Sequence, residues 1–253
     1  MGSLGQHFLY QEDITIVKQL GDSRLKVVNL SACRVSGLEE DKLIEYSKKN
    51  TVNTEKLSNN IVRAKTRINE LALCNPWSYF VTLTINQEKY NRYDLKVYYR
   101  DLSEFLHNFN RRRDADKKVK YILIPELHKD GAWHMHGLFQ GLTESDLYIN
   151  DNGYLGWKAY EQRFGYISLG VVKDKDRVSS YITKYITKEM DKNVKELGCH
   201  LYYASKGLQS AEELYRGRAE LLCDWDYEHP EGYCKIKTFD LDKDDYTEYL
   251  KLL

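Results

Sequence analysis

Tyr121-Ile-Leu-Ile-Pro-Glu-Leu-His128, Lys129-Asp-Gly131 and Ala132-Trp-His-Met-His-Gly-Leu-Phe139 form two apolar runs hinged on an Asp-Gly turn signal, which is how a β-hairpin is written in sequence. Side chains alternate along a strand, so His134 and His136 point to one face, with Trp133, Met135 and Gly137 on the other. A hairpin centred on Asp130 sets Glu126 directly opposite His134. Two imidazoles and a carboxylate then share one surface of a sheet, a donor set suited to a divalent metal. His128 falls in the turn, as a rival ligand or a solvated loop residue. The plainer reading of a His-x-His pair is two polar residues on a wet face. Glu126 at the paired register, in an otherwise apolar segment, favours the metal.

Working outward, the 253 residues are 42% hydrophobic and 30% charged, enough for a sizeable core in one domain with extensions. No apolar run approaches the roughly 20 residues needed to cross a bilayer, so no membrane partner is expected. The opening Met-Gly-Ser-Leu-Gly-Gln lacks a signal-peptide layout. Five widely spaced cysteines without a Cys-x-x-Cys indicate neither a disulfide framework nor a zinc finger, and a cytoplasmic protein is expected. Net charge is zero, but its distribution is not even. About 15 basic and 10 acidic side chains lie in residues 51–140, against about 6 and 12 in residues 211–253. An acidic tail thus masks a basic middle, where phosphate contacts are expected from Arg63, Arg67 and Arg111, Arg112 and Arg113. Many of the 21 tyrosines pack, yet aromatic faces among basic residues also suit stacking on unpaired bases.

In chain order, Ile14–Val17 and Leu25–Val28 read as a small hairpin through Gly21-Asp22-Ser23. Glu39–Leu73 is helical in two pieces, the second with Ile61, Ala64, Ile68, Leu71 and Ala72 on one face, and Asn75-Pro76 ends it. Trp77–Ile85 reads as a central strand with Thr82 and Thr84 on one face. Asp94–Arg113 is an amphipathic helix ending in three arginines. Thr143–Gly156 reads as loop or short helix, Trp157–Arg163 as a helical turn or two, and Phe164–Val172 as a strand.

Asp176–Asp191 repeats Tyr-Ile-Thr-Lys at 181–184 and 185–188. On a helix this keeps Tyr181 and Tyr185 on nearly one stripe and Lys184 and Lys188 on its neighbour. Taken alone the pattern is an amphipathic helix with Ile182 and Ile186 in the core.

Phe-Val-Thr-Leu-Thr at 80–84, Glu126 eight residues before His-Met-His at 134–136, and the Tyr-Ile-Thr-Lys-Tyr helix resemble, in that order, the three motifs of HUH endonucleases. Within them the resemblance is to rolling-circle replication initiators of phages and plasmids, in the two-tyrosine branch. It covers about residues 76–205. It implies an α+β, ferredoxin-like fold with a central antiparallel sheet flanked by helices, at 76–205, between an N-terminal extension at 1–75 and an acidic C-terminal extension at 206–253. It also implies a Mg²⁺ or Mn²⁺ ion on Glu126, His134 and His136, and a tyrosine that nicks single-stranded origin DNA and stays joined to its 5′ end. No Gly-x-x-x-x-Gly-Lys-Ser/Thr occurs, so unwinding is expected from a separate helicase.

The residue chemistry agrees with that reading. A phenol of ordinary pKa is phenolate about once in a thousand molecules near pH 7, so for its attack on a phosphodiester something must favour the anion or take the proton. A metal on the three ligands polarises the phosphate, and Lys184 and Lys188 offset further charge. Either tyrosine can be the primary nucleophile. The same chemistry also serves two-tyrosine transposases, and the same fold can serve as a catalytically silent single-stranded DNA-binding module.

Overall fold

The computed structural model describes residues 10–34, 54–173, 178, 181–182 and 200–253. The described elements begin with β1 (Tyr10–Leu20), β2 (Arg24–Arg34), α1 (Thr54–Cys74), β3 (Tyr79–Thr84) and α2 (Leu95–Asn110). Then come β4 (Lys120–Leu127), β5 (Trp133–Gln140), β6 (Tyr148–Ile149), β7 (Leu155–Gly156), α3 (Lys158–Arg163) and β8 (Ile167–Val171). The last strands are β9 (Tyr203–Ala204), β10 (Glu212–Gly217), β11 (Ala219–Leu221), β12 (Tyr227–Glu228), β13 (Cys234–Asp240) and β14 (Leu250–Leu252). Among the described residues the architecture is mixed α+β, with large antiparallel sheets and few helices. It divides into two compact units, Val52–Gln209 and a second made of Met1–Thr51 with Ser210–Leu253. Among the described residues no helix is long and apolar enough to cross a membrane.

The Val52–Gln209 unit is built on a seven-stranded sheet in the order β6-β7-β8-β3-β5-β4-β9. Strand β3 is central because Tyr-Phe-Val-Thr-Leu-Thr buries one side of its alternation completely, Val81 and Leu83 being 1% and 0% exposed. Those residues, with Met135, Phe139, Leu123 and Ile167, face α2 and α3 across a core filled by Tyr98, Trp157, Tyr160 and Phe164. We call this the rear face. Helix α2 starts where the Asp94 carboxylate accepts the Val97 N–H (3.0 Å), and it buries Leu95, Tyr98, Leu102 and Leu106 at helical spacing. The front face carries Ile122, Ile124 and Leu138 and is covered by Ala64, Ile68, Leu71 and Ala72 of α1 together with Val178 and Ile182. The α1 stripe is the expected one. The helix stops at Asn75, whose side-chain amide donates to the Leu71 and Gln209 carbonyls, both at 2.9 Å.

The β4–β5 hairpin has the expected register, Glu126 opposite His134 and Leu127 opposite Trp133. Gly131 closes its turn at φ 82°, and the Asp130 carboxylate accepts the Ala132 N–H. Gly137 is required for a different reason, since a Cβ there would lie 1.9 Å from the Ile122 carbonyl oxygen. Thr143–Gly156 resolves into a 3₁₀ turn at Glu144–Asp146 and the short β6–β7 hairpin, and the strand expected from Phe164 begins at Ile167.

The second unit corrects the reading of the chain ends. β2 pairs with β13 from Arg24 opposite Asp240 to Leu30 opposite Cys234, within a sheet ordered β10-β1-β2-β13-β12. The N-terminal hairpin and the acidic C-terminal segment therefore build one sheet around Val17, Leu25, Val27 and Phe239, instead of two separate extensions. Leu241, Tyr246 and Leu250 pack on that cluster. Its acids are held locally, Asp226 by Lys237 at 2.8 Å and Asp240 by Lys243 at 2.7 Å. The compact boundaries fall at 51/52 and 209/210, and α1 lies in the larger unit.

Candidate active site

The front face is only half apolar. Register places Thr82 against His136 and Thr84 against His134 across β3 and β5, and Glu126 beside His134 on β4. All five side chains thus lie on the side of the sheet away from the aromatic rear core. The Thr82 hydroxyl is 3.1 Å from His136 Nδ1, and the Thr84 hydroxyl 3.5 Å from His134 Nδ1. A partner at Nδ1 orients each ring and leaves Nε2 as its outward donor atom. His136 Nε2 is hydrogen-bonded to Glu126 Oε2. His128 of the turn stacks on His134 with ring centres 3.8 Å apart, and its Nε2 lies 3.9 Å from Glu126 Oε2. The site deepens from the hairpin turn into the sheet, His136 having a side chain 10% exposed against 43% for His128.

Burial pushes the His134 imidazole below its usual pKa, and the neighbouring rings of His128 and His136 add to the shift. Its neutral form, the one that binds metal, is thereby favoured. Among the described residues no three of these side chains converge as a ready-made metal cage. The donor set nevertheless fits a divalent ion, with a carboxylate and an imidazole already directed at each other and a second imidazole opposite that carboxylate.

The tyrosine segment is described at Val178, Tyr181 and Ile182, which are helical. Val178 and Ile182 are buried against the α1 side of the sheet, and the Tyr181 ring packs on Phe80 with centroids 4.2 Å apart. Phe80 lies two residues before Thr82 in β3, on the same face. Tyr181 is thus on the face that carries His136. Tyr185, Lys184 and Lys188 lie outside the described residues.

Residues 78–190 match the family model of the replication-associated protein ORF2/G2P. The match covers 113 of the 253 residues, suggests a replication-associated role and spans every residue of the front-face site. No curated protein and no solved structure gives a match.

The basic residues expected on DNA do not form one surface. Arg63 is exposed on α1, and Arg67 is 3.9 Å from Glu70 on the same helix, on the front side of the sheet. Arg111 and Arg112 are exposed at the end of α2, on the rear side. Arg113 is committed to structure: it donates to Asp146 (2.9 Å), the Gly141 carbonyl (2.8 Å) and the Lys117 carbonyl (2.7 Å), and its guanidinium covers the Phe109 ring. Sequence reading missed two features of this site. The threonine-to-imidazole contacts were signalled only by Thr82 and Thr84 sharing a face. Tyr166 was not singled out: the Thr84 N–H donates to its carbonyl, and its side chain is 48% exposed on the front side of β8, since Ile167 faces the rear core.

Proposed function

We propose that the Val52–Gln209 unit is a metal-dependent DNA nicking and joining enzyme that initiates rolling-circle replication, its seven-stranded sheet serving as the ferredoxin-like core of an HUH endonuclease. The observation that carries this reading is the register. Glu126, His134 and His136 lie on one face, each imidazole oriented through Nδ1 by a threonine, and Tyr181 is on that same face. Glu126, His134 and His136 would hold a Mg²⁺ or Mn²⁺ ion, which supplies Lewis-acid polarisation of the scissile phosphate.

The remaining work belongs to the chain. The phenol oxygen of Tyr181 or Tyr185 bonds to phosphorus, the P–O3′ bond breaks, and the 5′ end stays on the tyrosine. The proton given up by the phenol is balanced by the one that the 3′-oxygen takes up. Lys184 and Lys188 offset charge on the phosphate. The energy of the phosphodiester is kept in the phosphotyrosine, so rejoining needs no ATP and the free 3′-OH can prime synthesis. The substrate is single-stranded origin DNA, and a separate helicase would open the duplex.

A second reading, a catalytically silent single-stranded DNA-binding module, is favoured by the engagement of Glu126 with His136 and of His134 with His128. Incubation with labelled single-stranded phage or plasmid origin DNA and Mn²⁺, followed by a denaturing gel, separates the two. The enzyme gives a covalent adduct that survives in Tyr181→Phe or Tyr185→Phe singly and disappears in the double variant. DNA binding without an adduct in the wild type would leave the silent module.

A further inference from the structure

A second feature of the Val52–Gln209 unit has no part in the front-face site. A groove with a cavity volume of about 670 Å³ runs between the outer side of α2 and the start of β4, at the β9 edge of the sheet. Tyr121 lines it and belongs to the rear core, so the groove opens on the side of the sheet away from His134 and His136. Its wall is tied down, as Asn110 exchanges two hydrogen bonds with the Val119 backbone (2.8 and 2.9 Å) and Ser205 Oγ accepts the Tyr121 N–H. Four cationic side chains, Arg100, Lys118, Lys120 and Lys206, line it together with His107, against one anion, Glu104. That is a strong local excess in a chain whose net charge is zero.

Two of the four cations have structural duties. Arg100 bonds Asp101, and Lys120 donates to the Gly207 carbonyl at 2.8 Å. Lys118 and Lys206 are exposed, and among the described residues neither has an ion-pair partner. In the aromatic wall the Tyr99 ring is stacked on Tyr203 at 3.5 Å and its hydroxyl is 3.1 Å from that of Tyr121. The exposed cations are therefore the groove's main means of holding a ligand.

We infer that this groove binds the phosphate backbone of the same nucleic-acid strand on which the front-face site acts, without regard to sequence. The inference rests on the function proposed above. Lys120 begins β4 and Glu126 lies six residues on, about 20 Å along the strand. Groove and site open on opposite sides of the sheet, so about 20 Å is the least distance a strand must cover, and at about 3.4 Å per stacked nucleotide that takes roughly six nucleotides or more. Shorter strands occupy one or the other. Longer strands engage both and gain from the second contact.

The experiment uses the full chain, fluorescein-labelled oligothymidylates of 4 to 20 nucleotides, and amine acetylation read by mass spectrometry. In the wild type, affinity rises in a step as length passes about six nucleotides. The 20-mer protects Lys118 and Lys206 from acetylation but not Lys96, exposed in the first turn of α2. Lys118→Glu with Lys206→Glu removes the step and flattens the log affinity against log salt plot by about 1.4, two single-strand phosphate contacts at about 0.7 each. Lys118→Gln with Lys206→Gln gives the same direction with a smaller loss, which excludes misfolding from charge reversal. Unprotected lysines, or an unchanged salt slope in both double variants, overturn the inference. Protected lysines with no length step overturn the shared strand and count against the front face as a DNA site. An absent adduct on origin DNA with step and protection intact removes the catalytic reading and leaves the groove.

Discussion

The two faces of the seven-stranded sheet are made from the same strands and have opposite fates. On the rear, α2 and α3 close over residues of β3, β5, β4 and β8, and Tyr98, Tyr160 and Phe164 are each 0% exposed. The two buried phenols there satisfy each other, the Tyr98 and Tyr160 hydroxyls lying 2.7 Å apart. On the front, α1 covers Ile122, Ile124 and Leu138, and beyond them the same strands carry Thr82, Thr84, Glu126, His134 and His136. Along β5 the side chains change from Leu138 to His136 to His134 as the apolar cover gives out. A rigid rear face allows a polar front one: imidazoles and a carboxylate can be held at fixed register because the opposite side of each strand is locked in a close-packed core.

The largest expected effect comes from breaking the rear face. Phe164→Ala removes a fully buried ring that meets Tyr90, Tyr98 and Tyr160, and should cost about 3–5 kcal/mol by urea denaturation. His136→Ala on the front should instead change stability by less than about 1.5 kcal/mol while lowering adduct formation by about 10²–10³-fold or more. A His136 variant that unfolds as readily as the Phe164 one would show the front face to be structural.

The next effect concerns the join between the faces. Thr82→Val and Thr84→Val keep the shape of β3 but delete the hydroxyls at His136 Nδ1 and His134 Nδ1. Mn²⁺ affinity measured by titration calorimetry should fall about 10–100-fold with the denaturation midpoint nearly unchanged. Thr82, with the shorter contact, should show the larger loss. In the wild type, Mn²⁺ should support nicking at lower concentration than Mg²⁺ because nitrogen ligands favour it, and excess EDTA should abolish nicking. Full nicking in EDTA would remove the ion from the account.

What could be read from the sequence follows the same division between local and distant causes. Glu126 opposite His134 was legible because an Asp-Gly turn and period-two alternation set hairpin register within some fifteen residues. The α1 stripe and the Asp94 start of α2 were legible because capping and helical periodicity are equally local. The pairing of β2 with β13 was not, since it joins residues about two hundred positions apart and leaves no mark on either strand. The acidic segment therefore read as a tail, although Asp226 and Asp240 each have a lysine partner. Arg113 illustrates the same limit at one residue. Three consecutive arginines look alike in sequence, and only the approach of Asp146 and Gly141 separates Arg113 from Arg111 and Arg112.

The smallest expected effect would sharpen the comparison at the open end of the front face. Tyr166 follows Gly165, where a Cβ would lie 2.5 Å from the Thr84 carbonyl and the Asn86 nitrogen, so the backbone there is held close against β3. Its ring is half exposed beside Thr84, whereas the rear-face tyrosines Tyr98 and Tyr160 are sealed and bonded to each other. An exposed ring held on a rigid strand is suited to stacking on one unpaired base, worth about 1 kcal/mol at the low end and hence roughly fivefold in affinity. Tyr166→Phe should bind single-stranded origin DNA like the wild type, because stacking needs the ring and not the hydroxyl. Tyr166→Leu should bind about fivefold more weakly at equal salt, with an unchanged salt slope because no phosphate contact is lost. In Tyr166→Trp the added indole should be quenched on DNA binding. Equal affinity of Tyr166→Leu and wild type, or a slope that changes with it, would show that the ring meets no base and that front and rear tyrosines differ only in exposure.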